Sequence, residues 1–237
     1  MKLIFIRHAE PDYENNTITE KGWCEAALLA ERVSKWDVKD FYQSPLGRAK
    51  DTASLSLKKM NRTATTYEWL QEFWYTWNDP ETGNSDCCWD FLPAEWTLKP
   101  GLYDKNNWMN EKPYCFNPSV YDHYMDVCSK FDNLLSEHGY ERNGGYYKVN
   151  EHNDDNLVFF CHFGISCVLM SHLMGLSPVM LWQNTFVAPS GVTVLCSEER
   201  TPDCASFRAQ FIGDTSHLRI AGEPVSKSGY YSDTFNG

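Results

Sequence analysis

Short apolar runs alternate with amphipathic stretches along most of the 237 residues, and this alternation constrains the fold more than any other feature. Residues 2–6 read as a central strand, followed by a turn at Pro11-Asp12. Thr19 can cap a helix whose apolar positions Trp23, Ala26, Ala27, Ala30 and Val33 follow helical spacing. A second strand is expected over residues 40–43. Ser44-Pro45 then reads as a helix start, with Ser as N-cap, Pro at the first helical position and the helix running towards Met60. A third short strand over 64–67 precedes Leu70-Gln71-Glu72.

Residues 73–119 break the pattern. They are rich in Trp, Tyr, Pro, Asn and Asp, and read as an insertion packed on the core, because linkers rarely carry so many aromatics. From Tyr121, the positions Tyr124, Met125, Cys128, Phe131 and Leu135 mark a helix ending at His138-Gly139. Residues 140–149 suit a hairpin around Asn143-Gly144-Gly145, and 156–161 a strand. A helix over 165–174 and strands over 192–197 and 206–212 complete the pattern. The tail beyond Gly222 is polar and is expected to be loosely ordered. The expected architecture is α/β, a three-layer sandwich with a mainly parallel central sheet and helices on both faces, carrying the aromatic-rich insertion.

The formal charge of −11, from 21 basic and 32 acidic residues without a Lys/Arg-dense stretch, argues against a nucleic-acid partner. The opening residues run into Arg7 too soon for a secretory signal, and nine cysteines without paired spacing suit free thiols, so a cytoplasmic chain is expected. The apolar run 157–181 contains His162, Gly164, His172, Gly175 and Pro178, which suits a buried strand and helix rather than a membrane span.

Two ionisable clusters sit where strands are expected to end: Arg7-His8 and His162. In open α/β sheets, sites form beyond the carboxyl ends of strands, so both should face one crevice. Ser44-Pro45-Leu46-Gly47-Arg48 adds an arginine in the first turn of a helix, where free N–H groups favour an anion. Two arginines, two histidines and a helix start suit a dianionic phosphate, which a planar guanidinium binds through two oxygens at once. A zinc site from His8, His162 and His217 would lack the dense ligand spacing such sites show.

These motifs resemble those of the histidine phosphatase (phosphoglycerate mutase-like) superfamily, branch 1. Phe5-Ile6-Arg7-His8-Ala9-Glu10 is similar to its Arg-His-Gly-Glu nucleophile motif. Thr19-Glu20-Lys21-Gly22 with Ala26 resembles Leu-Thr-x-x-Gly-x-x-Gln-Ala, and Ser44 to Thr52 resembles Ser-Pro-x-x-Arg-Ala-x-x-Thr. Leu70-Gln71-Glu72 is similar to the Leu-x-Glu of the proton donor, and Cys161-His162-Phe163-Gly164 to the Ser/Thr-His-Gly of the second histidine. The five matches occur in the family's order and cover most of the chain outside the insertion.

The resemblance implies a single domain over 1–237, with the insertion at about 73–119 covering the active site. It implies that His8 forms a phosphohistidine, that Arg7, Arg48 and His162 hold the phosphoryl oxygens, and that Glu72 is the proton donor, with no metal or other cofactor. Glu68 lies close enough to compete with Glu72, as does an acid from the insertion. Glu10, Thr19, Phe163 and His217 are candidate substrate contacts, although a structural hydrogen bond suits His217 better. Ala9 and Phe163 replace glycines of the pattern and narrow the approach to the site. The Arg-His-Gly-x-Arg-x-Pro signature of the secreted acid phosphatases is absent. So is the longer segment of the glycolytic mutases, since only ten residues separate His8 from Thr19. The expected activity is hydrolysis of a small phosphorylated metabolite. The alternatives are a phosphoglycerate mutase-type phosphomutase and a non-catalytic phosphate-binding regulatory protein.

Overall fold

The computed structural model describes residues 1–236. Its N-terminal part comprises β1 (Lys2–Arg7), a small ribbon of β2 (Pro11–Asp12) and β3 (Thr17–Ile18), α1 (Glu20–Val33), β4 (Asp40–Gln43), α2 (Gly47–Met60) and β5 (Thr65–Thr66). The aromatic-rich segment contributes a second ribbon of β6 (Thr76–Asn78) and β7 (Ser85–Cys87), and the one-turn α3 (Pro93–Trp96). After it come α4 (Pro118–Glu137), β8 (Tyr140–Asn143), β9 (Tyr146–Val149), β10 (Asn156–Cys161), α5 (Phe163–Met174) and α6 (Pro178–Asn184). The chain closes through β11 (Val192–Thr201), β12 (Cys204–Asp214) and α7 (Ser216–Ala221).

One eight-stranded sheet runs β5-β4-β10-β1-β11-β12-β9-β8. The pairings from β5 through β1 are parallel, and those from β1 through β8 are antiparallel. The α/β layering is as expected, but the sheet is mixed rather than mainly parallel. Both C-terminal hairpins are legible from their turns; what local pattern does not carry is that they extend the parallel half edge to edge.

β1 is apolar at every position from Leu3 to Ile6 because both of its faces are covered. Leu3 and Phe5 enter a large cluster with Phe131 of α4, Val168 of α5 and Phe159. Ile4 and Ile6 enter a second cluster on the other face, with Leu29 of α1 and Ala53 of α2. These two clusters make the three layers.

Segment 73–119 packs through Trp108, whose ring meets Trp182 of α6 at 6.1 Å and Tyr124 of α4 at 5.4 Å. Trp77, Phe91, Leu102 and Tyr114 join the same cluster. Among the described residues, no helix is long and apolar enough to cross a membrane.

Candidate active site

β1 and β10 are parallel neighbours with Arg7 opposite Cys161, so the residues that follow them, His8 and His162, emerge side by side. The His8 N–H donates to the Cys161 carbonyl at 2.9 Å, and the two imidazole centroids lie 5.1 Å apart. His8 Nδ1 is 2.8 Å from the Ala9 carbonyl. A carbonyl can only accept, so Nδ1 carries the ring proton and Nε2 keeps its lone pair. Burial, reinforced by Arg7, holds His8 well below the usual imidazole range, and the ring is neutral at pH 7.

His162 Nε2 shares a 2.7 Å hydrogen bond with the Ser44 hydroxyl, whose oxygen also accepts from the Leu46 N–H at 3.2 Å. Its other ring nitrogen, Nδ1, is buried without a partner. Burial and the adjacent His8 and arginines also keep this imidazole neutral.

Ser44 is therefore spent on orienting His162, and α2 begins at Gly47 with Leu46 at its N-cap. The helix start expected at Ser44-Pro45 is two residues early. Arg48 still falls in the first turn, with its guanidinium 5.3 Å from the Tyr13 ring. Thr52, one turn on, bonds back to the Arg48 carbonyl and accepts from the Ala9 N–H at 2.9 Å, tying α2 to the loop that follows β1. Arg7 is only 7% exposed, and its Nη1 donates to the Val187 carbonyl at 2.6 Å.

Glu72 Oε1 accepts from the Phe73 N–H at 2.9 Å and from the Ile165 N–H at 3.1 Å. The second donor belongs to the first turn of α5, so a residue distant in sequence caps that helix. A Cβ on Gly164 would sit 2.8 Å from this oxygen, which is why the position after Phe163 has no side chain. Burial raises the Glu72 carboxyl above its ordinary range, against the pull of the two N–H groups and of Arg7 and Arg48. Glu68 is exposed on the protein's outer surface.

Arg7, Arg48 and Glu72 line a cavity of about 1560 Å³ whose walls are rich in aromatic side chains. Of the four candidate substrate contacts, Phe163 lines it. Glu10 instead accepts from the Thr19 hydroxyl at 2.9 Å and from the Ser226 hydroxyl, and Thr19 also caps α1. His217 shares a 3.1 Å bond with Ser190. These three hold the loop after β1 and its surroundings together.

Two features escaped the sequence reading. The tail beyond Gly222, expected to be loose, docks on the site: the Ser228 carbonyl accepts from Arg7 Nη2 at 3.4 Å, and Tyr230 stacks on Phe186 with centroids 4.2 Å apart. Gly229, Tyr230 and Tyr231 line the cavity. The second is Glu25, which stands where the family pattern has Gln. It is fully buried, accepts from the Glu10 N–H at 2.9 Å and is pushed by burial up to about 7. The buried acid lies under the loop where Gly22 must be small, since a Cβ there would meet the Glu10 carbonyl at 2.5 Å.

A family model of the histidine phosphatase superfamily (branch 1) matches residues 3–97. A 2,3-bisphosphoglycerate-dependent phosphoglycerate mutase of Thermoplasma acidophilum is 37% identical over 83 aligned positions, with 30% of this chain covered. The match spans only 42% of that curated relative's length. Among solved structures, a phosphoserine phosphatase variant from Entamoeba histolytica in complex with phosphoserine is similar at a TM-score of 0.61 and 16% identity, over 92% of this chain and 98% of that one. A mycobacterial glucosyl-3-phosphoglycerate phosphatase is similar at 0.57 and 18%, over 90% and 98%. Residues 3–97, which carry the motifs, thus match the histidine phosphatase superfamily, and the fold is similar to that of these solved structures along nearly the whole length.

Proposed function

We propose that this chain is a phosphatase that hydrolyses a phosphate monoester through a phosphohistidine on His8. The observation that carries the reading is the pinned tautomer: Nδ1 is held by the Ala9 carbonyl, leaving Nε2 as a neutral nucleophile beside two guanidinium groups. His8 Nε2 attacks phosphorus, and the ester P–O bond breaks as the N–P bond forms. Arg7, Arg48 and His162 hold the three non-bridging oxygens as charge develops on them. Glu72, whose carboxyl is kept high by burial, gives its proton to the departing oxygen. As a carboxylate it then takes a proton from water, which attacks phosphorus and returns His8 to its starting state. The domain spans the whole chain, with segment 73–119 and the tail as the cavity's outer walls.

Hydrolysis is favoured over mutase chemistry by the cavity's charge. A phosphoglycerate mutase must hold a phosphoryl group and a second anion at once, and among the described residues Arg7 and Arg48 are the only Lys or Arg lining the cavity. The test measures phosphate release from a panel of monoesters alongside phosphoryl transfer to 3-phosphoglycerate. The reading predicts His8-dependent release, unchanged by a chelator, with transfer negligible. Transfer that outruns release would make the chain a mutase. Phosphate binding without either reaction would make it a regulatory binder.

A further inference from the structure

The cavity holds more negative than positive charge once a phosphoryl group has taken both guanidiniums. Its wall also carries Asp86, Asp90 and Glu95. Each has one oxygen engaged by a neutral donor: Asp86 by the Cys87 N–H at 2.7 Å, Asp90 by the Tyr231 hydroxyl at 3.3 Å, and Glu95 by the Leu92 N–H at 3.1 Å. Among the described residues, none of the three belongs to an ion pair. The charge of Asp90, with burial and a smaller contribution from Asp86, raises the Tyr231 hydroxyl above the usual phenol range.

The same cavity is lined by aromatic rings. Trp89 meets Trp74 edge-on at 5.1 Å and Phe163 edge-on at 6.0 Å, and all three line the cavity. Such rings offer negative faces to a cation and contact area to an apolar body. A lone carboxylate on the leaving group, such as phosphoglycerate carries, would meet like charges.

Resting on the phosphatase reading, we infer that the cavity selects phosphate monoesters of an aromatic or apolar alcohol bearing a distal ammonium group, with Asp86 and Asp90 reading the positive charge. The substrate is a phosphorylated amino alcohol, held at one end by Arg7 and Arg48 and at the other by the acidic wall. Its apolar middle lies on Trp74, Trp89 and Phe163.

The experiment uses three phenyl phosphates with the same phenolate leaving group, so that only the distal group differs: 4-(2-aminoethyl)phenyl, 4-propylphenyl and 3-(4-phosphonooxyphenyl)propanoate esters. The inference predicts that kcat/KM for the ammonium ester exceeds that of the carboxylate ester by about tenfold or more at low ionic strength, with the neutral ester between. The preference shrinks as salt screens the wall. It falls towards unity in Asp86→Asn/Asp90→Asn, and partly in Asp86→Asn alone, which leaves the Tyr231 bond intact. A wild-type ratio near one, or one that favours the carboxylate, overturns the inference. Failure to hydrolyse p-nitrophenyl phosphate at all overturns the phosphatase reading beneath it, whereas hydrolysis without charge preference overturns the inference alone.

Discussion

Glu72 shows how one side chain serves both the fold and the proposed chemistry. Its two backbone donors favour the carboxylate, and burial favours the acid, which leaves a proton near a leaving oxygen. An alkoxide needs that proton, whereas a nitrophenolate departs without it. Glu72→Gln should therefore slow hydrolysis of an alkyl phosphate by about 10²–10⁴-fold and that of a nitrophenyl phosphate far less. Exposed Glu68→Gln should behave as wild type with both. A selective loss in Glu68→Gln would move the acid. Arg7, His8, Arg48, Glu72 and His162 were all readable as residue types at motif spacing. Glu25 was not, because helical periodicity marks which positions are buried only through their apolar residues. A carboxyl at such a position reads as surface.

Among the elements, strands and helices with strong periodicity fell close to where their patterns predict, and the errors sit where tertiary contacts decide. α2 starts late because the Ser44 hydroxyl serves His162 instead of a helix N-cap. The tail has no periodicity, so it reads as loose, but its order comes from distant partners: Glu10 for Ser226, Arg7 for Ser228 and Phe186 for Tyr230. Ending the chain after Gly222 removes the wall over Arg7 and leaves the sheet and its covering helices intact. The expected result is a loss in kcat/KM for a bulky aryl phosphate on the order of tenfold, through lost positioning, with only a small fall in Tm. Unchanged kinetics would show that the tail is a bystander.

At the scale of the molecule, the parallel half of the sheet brings Arg7-His8 and His162 to one end of the sheet, and the antiparallel half widens the platform and brings the segment before β11 to the same end, where it bonds Arg7 and His8. The layering was legible because strands covered on both faces are continuously apolar; the strand order beyond β1 was not, because pairing between hairpins leaves no local trace. Segment 73–119 was legible as a packed body from its aromatics, but its acidic wall only takes meaning from the cavity it faces. The account turns on a covalent bond between phosphorus and His8 Nε2. Rapid quenching with a radiolabelled monoester should trap an acid-labile, alkali-stable phosphoryl label on the wild-type chain, and none on His8→Ala. Near-normal turnover by His8→Ala, or turnover by the wild type with no label at any quench time, would contradict it.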